Sequence, residues 1–229
     1  MVVAKKMTVA KRMTKEELRE DKVLTSVKRL TTFVQHNLRY VIGAVALVAL
    51  VVIGTSLWNQ SRGRAEGNAS FIINQAQQLY YAGNYPEALS RFQAVESQYG
   101  SASAARPVKL FIGNCQLTLG NPVEAEKAFR SVVGKLGGDP VLRAGALRGL
   151  GAALADQGKA AEAADSYQQA AAVQGNPLAS EDWWAAGNAH TDAGNLDQAK
   201  QAYQRIIDDF PRSSHLMEAR LRLAEIGAR

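Results

Sequence analysis

Four stretches decide how this chain folds: Gly83-Asn-Tyr-Pro-Glu-Ala88-Leu-Ser-Arg-Phe92, Gly120-Asn-Pro-Val-Glu-Ala125-Glu-Lys-Ala-Phe129, Gly158-Lys-Ala-Ala-Glu-Ala163-Ala-Asp-Ser-Tyr167 and Gly194-Asn-Leu-Asp-Gln-Ala199-Lys-Gln-Ala-Tyr203. Their glycines stand 37, 38 and 36 residues apart, and the Ala and aromatic positions keep the same intervals. Each glycine ends one helix in a left-handed cap, and the i/i+4 spacing places Ala and the aromatic ring on one buried stripe of the next helix. Ala is small enough there to let neighbouring helices approach. The reading is all-α: a tandem array of helix pairs.

Upstream of the array, Tyr40 to Trp58 is a run of 19 residues with no charge and no proline, ten of them Leu, Ile or Val. At 1.5 Å per residue it extends about 28 Å, close to the hydrocarbon thickness of a bilayer. Tyr40 and Trp58 mark its ends, where amphipathic rings favour the headgroup level. A buried core helix and a cleaved signal peptide compete with this reading. The absence of a polar face argues against the first, and the 39-residue leader argues against the second. An uncleaved anchor fits better. Near the run, Arg19, Lys22, Lys28, Arg29 and Arg39 precede it and only Arg62 and Arg64 follow. The excess of bases on the N-terminal side places the N-terminus in the cytoplasm and the rest of the chain across the membrane.

That asymmetry explains the charge. The 229 residues carry 27 bases and 21 acids, a net +6 that would suggest nucleic acid as a partner. Residues 1–39 hold 10 of those bases and 4 of the acids, so 17 of each remain beyond. The surplus belongs to the arm, and no nucleic-acid partner is expected. Residues 1–13 are basic and without pattern, with Met1, Met7 and Met13 as candidate starts. From Thr14, a capping box (Thr14 to Glu17) leads into Val23, Val27, Leu30, Val34 and Leu38 at helical spacing. This predicts an amphipathic helix that lies on anionic lipid or docks a membrane partner. The organisation read from sequence is an arm over 1–39, a transmembrane helix over 40–58, a polar, glycine-containing linker over 59–68 and the repeats over 69–229.

The repeats resemble the tetratricopeptide family. Its Trp, Gly and Pro positions are matched best in the last unit, by Trp183, Gly187 and Pro211, while the first two units lack that Trp and end in Gly100 and Gly137. The resemblance implies a right-handed solenoid of four helix pairs with a terminal helix (Leu216, Ala219, Leu223, Ile226) capped by Ser213 or Ser214 and shielding the last repeat. It implies a concave face with groove candidates Ile73, Gln77, Tyr80, Leu110, Asn114, Trp184 and Asn188. The Lys/Asn clamp that some members use for a C-terminal carboxylate is missing, since Ile73 with Gln77 and Leu110 with Asn114 stand in its place. Amides and rings suit an extended peptide, because amides pair with backbone and rings cover apolar side chains.

Anchor plus repeats together resemble the bacterial membrane-anchored proteins that act as ancillary subunits of the SecYEG translocon. That resemblance implies an inner-membrane, single-pass protein with a periplasmic domain, whose partners are the translocon, secreted clients or periplasmic chaperones. The alternative is a periplasmic scaffold for envelope assembly or cell division, whose repeat ends Asp208-Asp-Phe-Pro-Arg-Ser213 resembles. An enzyme is not expected, nor is a metal or cofactor. His36, His190 and His215 have no ligand spacing. Gly149-Leu-Gly151 lacks the third glycine and the preceding strand of a nucleotide fingerprint, so close helix packing is its reading. Cys115, the one cysteine, reads as an inert, partly buried thiol.

Overall fold

Each of the four signature glycines closes a helix in the same way. In a computed structural model that describes residues 15–136 and 138–228, with side chains from residue 24 onward, Gly83, Gly120, Gly158 and Gly194 adopt φ between 75° and 79°. Their amides donate three residues back, and the amide of the following residue donates five residues back, as in Gly83 to Tyr80 and Asn84 to Leu79 at 3.0 and 2.9 Å. This double bond satisfies two of the carbonyls that a helix end leaves open, and only glycine enters that backbone region without a Cβ clash. The arm 1–13, the capping Thr14, the Val23 side chain and Gly137 lie outside the described residues.

The described helices are α1 (Lys15–His36), α2 (Leu38–Tyr81), α3 (Tyr85–Tyr99), α4 (Val108–Thr118), α5 (Pro122–Val133), α6 (Pro140–Asp156), α7 (Ala160–Ala171), α8 (Ala179–Asp192), α9 (Leu196–Asp209) and α10 (Leu216–Gly227), with a 3₁₀ turn at Ser103–Ala105. No strand occurs among the described residues. The chain divides into two compact units, one ending at Gln60 and the other starting at Ser61.

In the first unit, the helix expected to run from 14 into the apolar stretch ends instead at His36. A turn follows at Asn37, whose amide side chain donates to the Phe33 carbonyl at 3.0 Å. Leu24, Val27, Leu30 and Phe33 are exposed on α1. In α2 the large apolar side chains from Tyr40 to Trp58, among them Val45, Leu50, Ile53 and Leu57, are more than half exposed, except Val41, which is half-buried. This helix is long and apolar enough to cross a membrane by length and composition.

The linker expected at 59–68 differs in the structure: these residues are helical, within α2. Gly63 and Gly67 lower helix propensity, but tertiary anchorage outweighs them. Glu66 accepts the backbone N–H groups of Ser103 and Ala104 at 2.6 and 3.0 Å, and Ala69 is fully buried. The repeat unit therefore starts before residue 69.

Within the second unit, helices pack on their neighbours in sequence, and α4 also packs on α6. The C-terminal part of α2 pairs with α3 through Ala69, Ile73, Ala76, Ala88, Phe92 and Val95. The pairs α4/α5, α6/α7 and α8/α9 follow, and α10 covers α9 through Ala219 and Ile226. Ala88, Ala125, Ala163 and Ala199 are fully buried, as are Phe92, Phe129 and Tyr203. Tyr167, at the equivalent place, is half-buried.

The Gly149-Leu-Gly151 motif is a packing device. Phe129 lies against Gly113 of its own pair and Gly149 of the next, and a Cβ on either glycine would collide with the ring. Gly151 faces Tyr167 and Gly187 faces Tyr203 in the same manner. A second expectation is corrected at α10. His215, not Ser213 or Ser214, occupies its N-cap, and Ser213 Oγ accepts from the His215 amide at 3.1 Å in a tight turn before the helix. The outward face of α10 remains apolar, with Met217 and Leu221 exposed.

Candidate functional site

The seven groove candidates divide by what surrounds them. Ile73 is 6% exposed and belongs to the core between α2 and α3, because Ala69, Ile73 and Ala76 recur at i, i+4 and i+7 on the face that α3 covers. It is corrected to a packing residue. Leu110 is half-buried among Val132, Val133 and Ala146, and a Cβ added to Gly145 would come within 3.4 Å of its Cδ1. The Trp184 ring stacks on His215 at 5.1 Å and tilts against Tyr203 at 5.4 Å. Asn188 Oδ1 accepts the Tyr203 hydroxyl at 2.8 Å. These last two residues hold α8, α9 and the start of α10 together.

Gln77, Tyr80 and Asn114 keep accessible surface. Tyr80 meets Tyr81, Tyr85 and Phe111 edge to face at 5.5, 5.4 and 5.6 Å, and Phe111 stacks on the buried Phe92 at 5.0 Å. Gln77 precedes Tyr80 by one helical turn, and Asn114 follows Phe111 by one turn, so both amides share a face with a ring of this cluster. Both are half-buried, and neither side chain is hydrogen-bonded among the described residues. Desolvation raises the Tyr80 hydroxyl above its usual range. The result is an uncharged aromatic and amide surface on α2 and α4. It can donate to and accept from a peptide backbone while covering apolar side chains. Among the described residues, no ring contact or side-chain hydrogen bond joins Trp184 or Asn188 to it.

Phe111 and Arg148 were not among the sequence candidates. Arg148 lies 38 residues after Leu110 and 36 before Trp184, at the same step of the repeat. The period alone could have pointed to it. Its guanidinium grips Asp182 through two bonds of 2.5 and 2.7 Å, and Asn176 Nδ2 donates to the same carboxylate at 2.8 Å. Asp182 is 1% exposed. Two parallel charge-assisted bonds suit a desolvated carboxylate, and here they tie α6 to α8.

Three further titratable groups serve packing or helix–helix contacts. Glu126 accepts from Arg130, Lys159 and Gln157, which hold its carboxyl down at about 2 and join α5 to the α6–α7 turn. Burial pushes the Cys115 thiol up to about 11, so it stays protonated and poorly nucleophilic; it is fully buried rather than partly. His190 is 1% exposed, with Nε2 3.3 Å from Gln168 Oε1 and Nδ1 without a partner. Burial lowers its pKa below the usual value.

A succession of glycine-capped helix pairs, in three of which an aromatic ring closes over a glycine, defines a helical-repeat protein built for protein interaction. The sequence pattern of the tetratricopeptide repeat-like domain matches residues 31–228, and the chain belongs to that family. Among solved structures, the tetratricopeptide domain of Arabidopsis FLU is similar, with 26% identity, a TM-score of 0.42, and coverage of 47% of this chain and 97% of that one. No curated protein matches the chain.

Proposed function

We propose that this protein is a single-span, membrane-anchored interaction module whose repeat domain binds peptide segments of client or partner proteins beside the protein-translocation machinery. The observation that carries the anchor is the row of exposed apolar side chains on α2 from Tyr40 to Trp58. Among the described residues of its unit, nothing covers them. Roughly 25 cal/mol per Å² of apolar surface favours their removal from water, and a bilayer accepts a helix of this length. The family match begins at residue 31, ahead of that stretch, so the shared pattern takes it in.

The basic arm sets the N-terminus in the cytoplasm and lies on anionic lipid. The repeat domain then lies on the opposite side of the membrane, the periplasm in a bacterium. Protease added to spheroplasts is expected to digest the repeat domain. Protection until lysis would invert the topology.

Peptide recognition is assigned to the Gln77, Tyr80, Phe111 and Asn114 surface. Its free amides and edge-on rings suit an extended, uncharged segment. A photocrosslinker at position 80 or 114 in cells should capture translocon subunits or nascent secretory chains. A second reading, a scaffold with one fixed envelope partner, is favoured by the packed state of Ile73, Leu110, Trp184 and Asn188, which leaves a smaller open surface. Capture of a single protein, unchanged when secretion is blocked, would select it.

A further inference from the structure

A pocket of about 380 Å³ lies between the end of α3, the 3₁₀ turn, the start of α4 and the end of α5. Its floor is apolar and buried, formed by Ala105, Val108, Val132 and Leu136. Its rim carries Arg106, Lys109 and Lys135 against one acid, Glu96. Lys109 is paired to Glu96 at 2.8 Å, whereas Arg106 and Lys135 form no ion pair among the described residues. The rim therefore carries three bases against Glu96 and the Glu66 carboxylate, which feels the Arg106 charge, and stays net positive on a domain whose bases and acids balance overall. That is complementary to an anion.

Connectivity identifies the anion. The loop that carries Arg106 is hydrogen-bonded through Ser103 and Ala104 to Glu66. Glu66 follows Trp58, the end of the proposed span, by eight residues. Even fully extended, eight residues reach only about 28 Å. Chain connectivity thus keeps the loop within that reach of the end of the proposed span, beside which headgroup phosphates are held at a high effective concentration. No soluble acid has that advantage.

We infer that the Arg106–Lys109–Lys135 pocket binds the phosphate headgroups of anionic lipids, docking the repeat domain on the membrane that anchors it. The inference rests on the anchor reading. Held this way, the domain has a second, reversible attachment that restrains its rotation about the span and keeps the α2/α4 surface at a defined height.

Amide hydrogen exchange on the full chain in nanodiscs tests this. Residues 101–110 should exchange several-fold more slowly in discs containing phosphatidylglycerol than in pure phosphatidylcholine, and the difference should shrink with added salt. In R106Q/K135Q, which leaves the Lys109–Glu96 pair intact, the docking equilibrium should weaken by on the order of tenfold or more, as each base near an anionic surface contributes about a fivefold factor. Equal exchange in the two discs overturns the inference, as does protection that survives R106Q/K135Q. A tetraglutamate peptide that protects the segment in neutral discs, where anionic lipid fails to, would reassign the pocket to acidic peptides. Flotation of the same samples separates the two levels. A chain that does not float with lipid removes the anchor and this docking together, while a chain that floats without protection removes the docking alone.

Discussion

Two junctions between repeats do the same work with opposite chemistry. Between the second and third pairs, the ring of Phe129 fills a notch made by Gly113 and Gly149, and the contact is dry. Between the third and fourth pairs, Arg148 spans from α6 to the buried Asp182 of α8, with Asn176 completing the carboxylate's shell. The helical spacing is conserved across both; the chemistry is not. The dry junction has no room for an added carbon, and the polar junction cannot lose a partner. A solenoid accepts either solution because each unit touches only its neighbours, so each junction is optimised by itself.

The largest test of this contrast is Phe129→Ala. It removes a fully buried ring and leaves a cavity between two glycines that cannot fill it, which should cost about 3–5 kcal/mol in urea unfolding of the detergent-solubilised chain. Arg148→Ala should come next, at about 3 kcal/mol, because it strands a carboxylate that is 1% exposed. Asp182→Asn should cost less, since Arg148 is 31% exposed and keeps water contact. If Asp182→Asn proves the more harmful of the two, burial of the acid does not dominate that junction.

Gly149→Ala should cost roughly 1–3 kcal/mol by overpacking the ring. Gly63→Ala, with open space around its Cβ position, should gain up to about 1 kcal/mol from helix propensity. Similar behaviour of the two glycines would remove the notch argument. At the last pair, Tyr203→Phe strips the hydroxyl from Asn188 and should cost about 1 kcal/mol by the same measurement.

The smallest effect is expected at His190, where burial favours the neutral ring. Its folded pKa lies below the unfolded value of 6.5. The stability it lends is fully present above about pH 6.5 and declines as the pH falls from there toward the folded value. An acid-side slope that is the same in His190→Leu would show that another group is responsible.

Much of the array was legible as a sequence. The glycine period marked all four turns, and the Ala and aromatic steps marked the buried stripes, because helix caps and i/i+4 contacts are made by residues close in the chain. Gly149-Leu-Gly151 was also read correctly as a packing motif, although its partner Phe129 became visible only in the fold. The groove was less legible. Ile73 and Trp184 occupy one step of the repeat and Asn188 the step of Gln77 and Asn114, yet Ile73 is core, Trp184 stacks on His215 and Asn188 serves Tyr203. The linker was misread for a similar reason: its glycines signal irregular chain, while the contact that keeps it helical, Glu66 to Ser103 and Ala104, comes from 37 and 38 residues away.

The sequence by itself determined the helix pairs, their turns, the charge-free apolar run and the confinement of net charge to the arm, all of which depend on neighbours within a few residues. Only the tertiary structure decided which first-helix positions of the pairs stay open, how each junction is sealed and which bases share the pocket rim. Those outcomes depend on the side chain that arrives from the next unit, and a repeat period specifies where that side chain will be without specifying what it is.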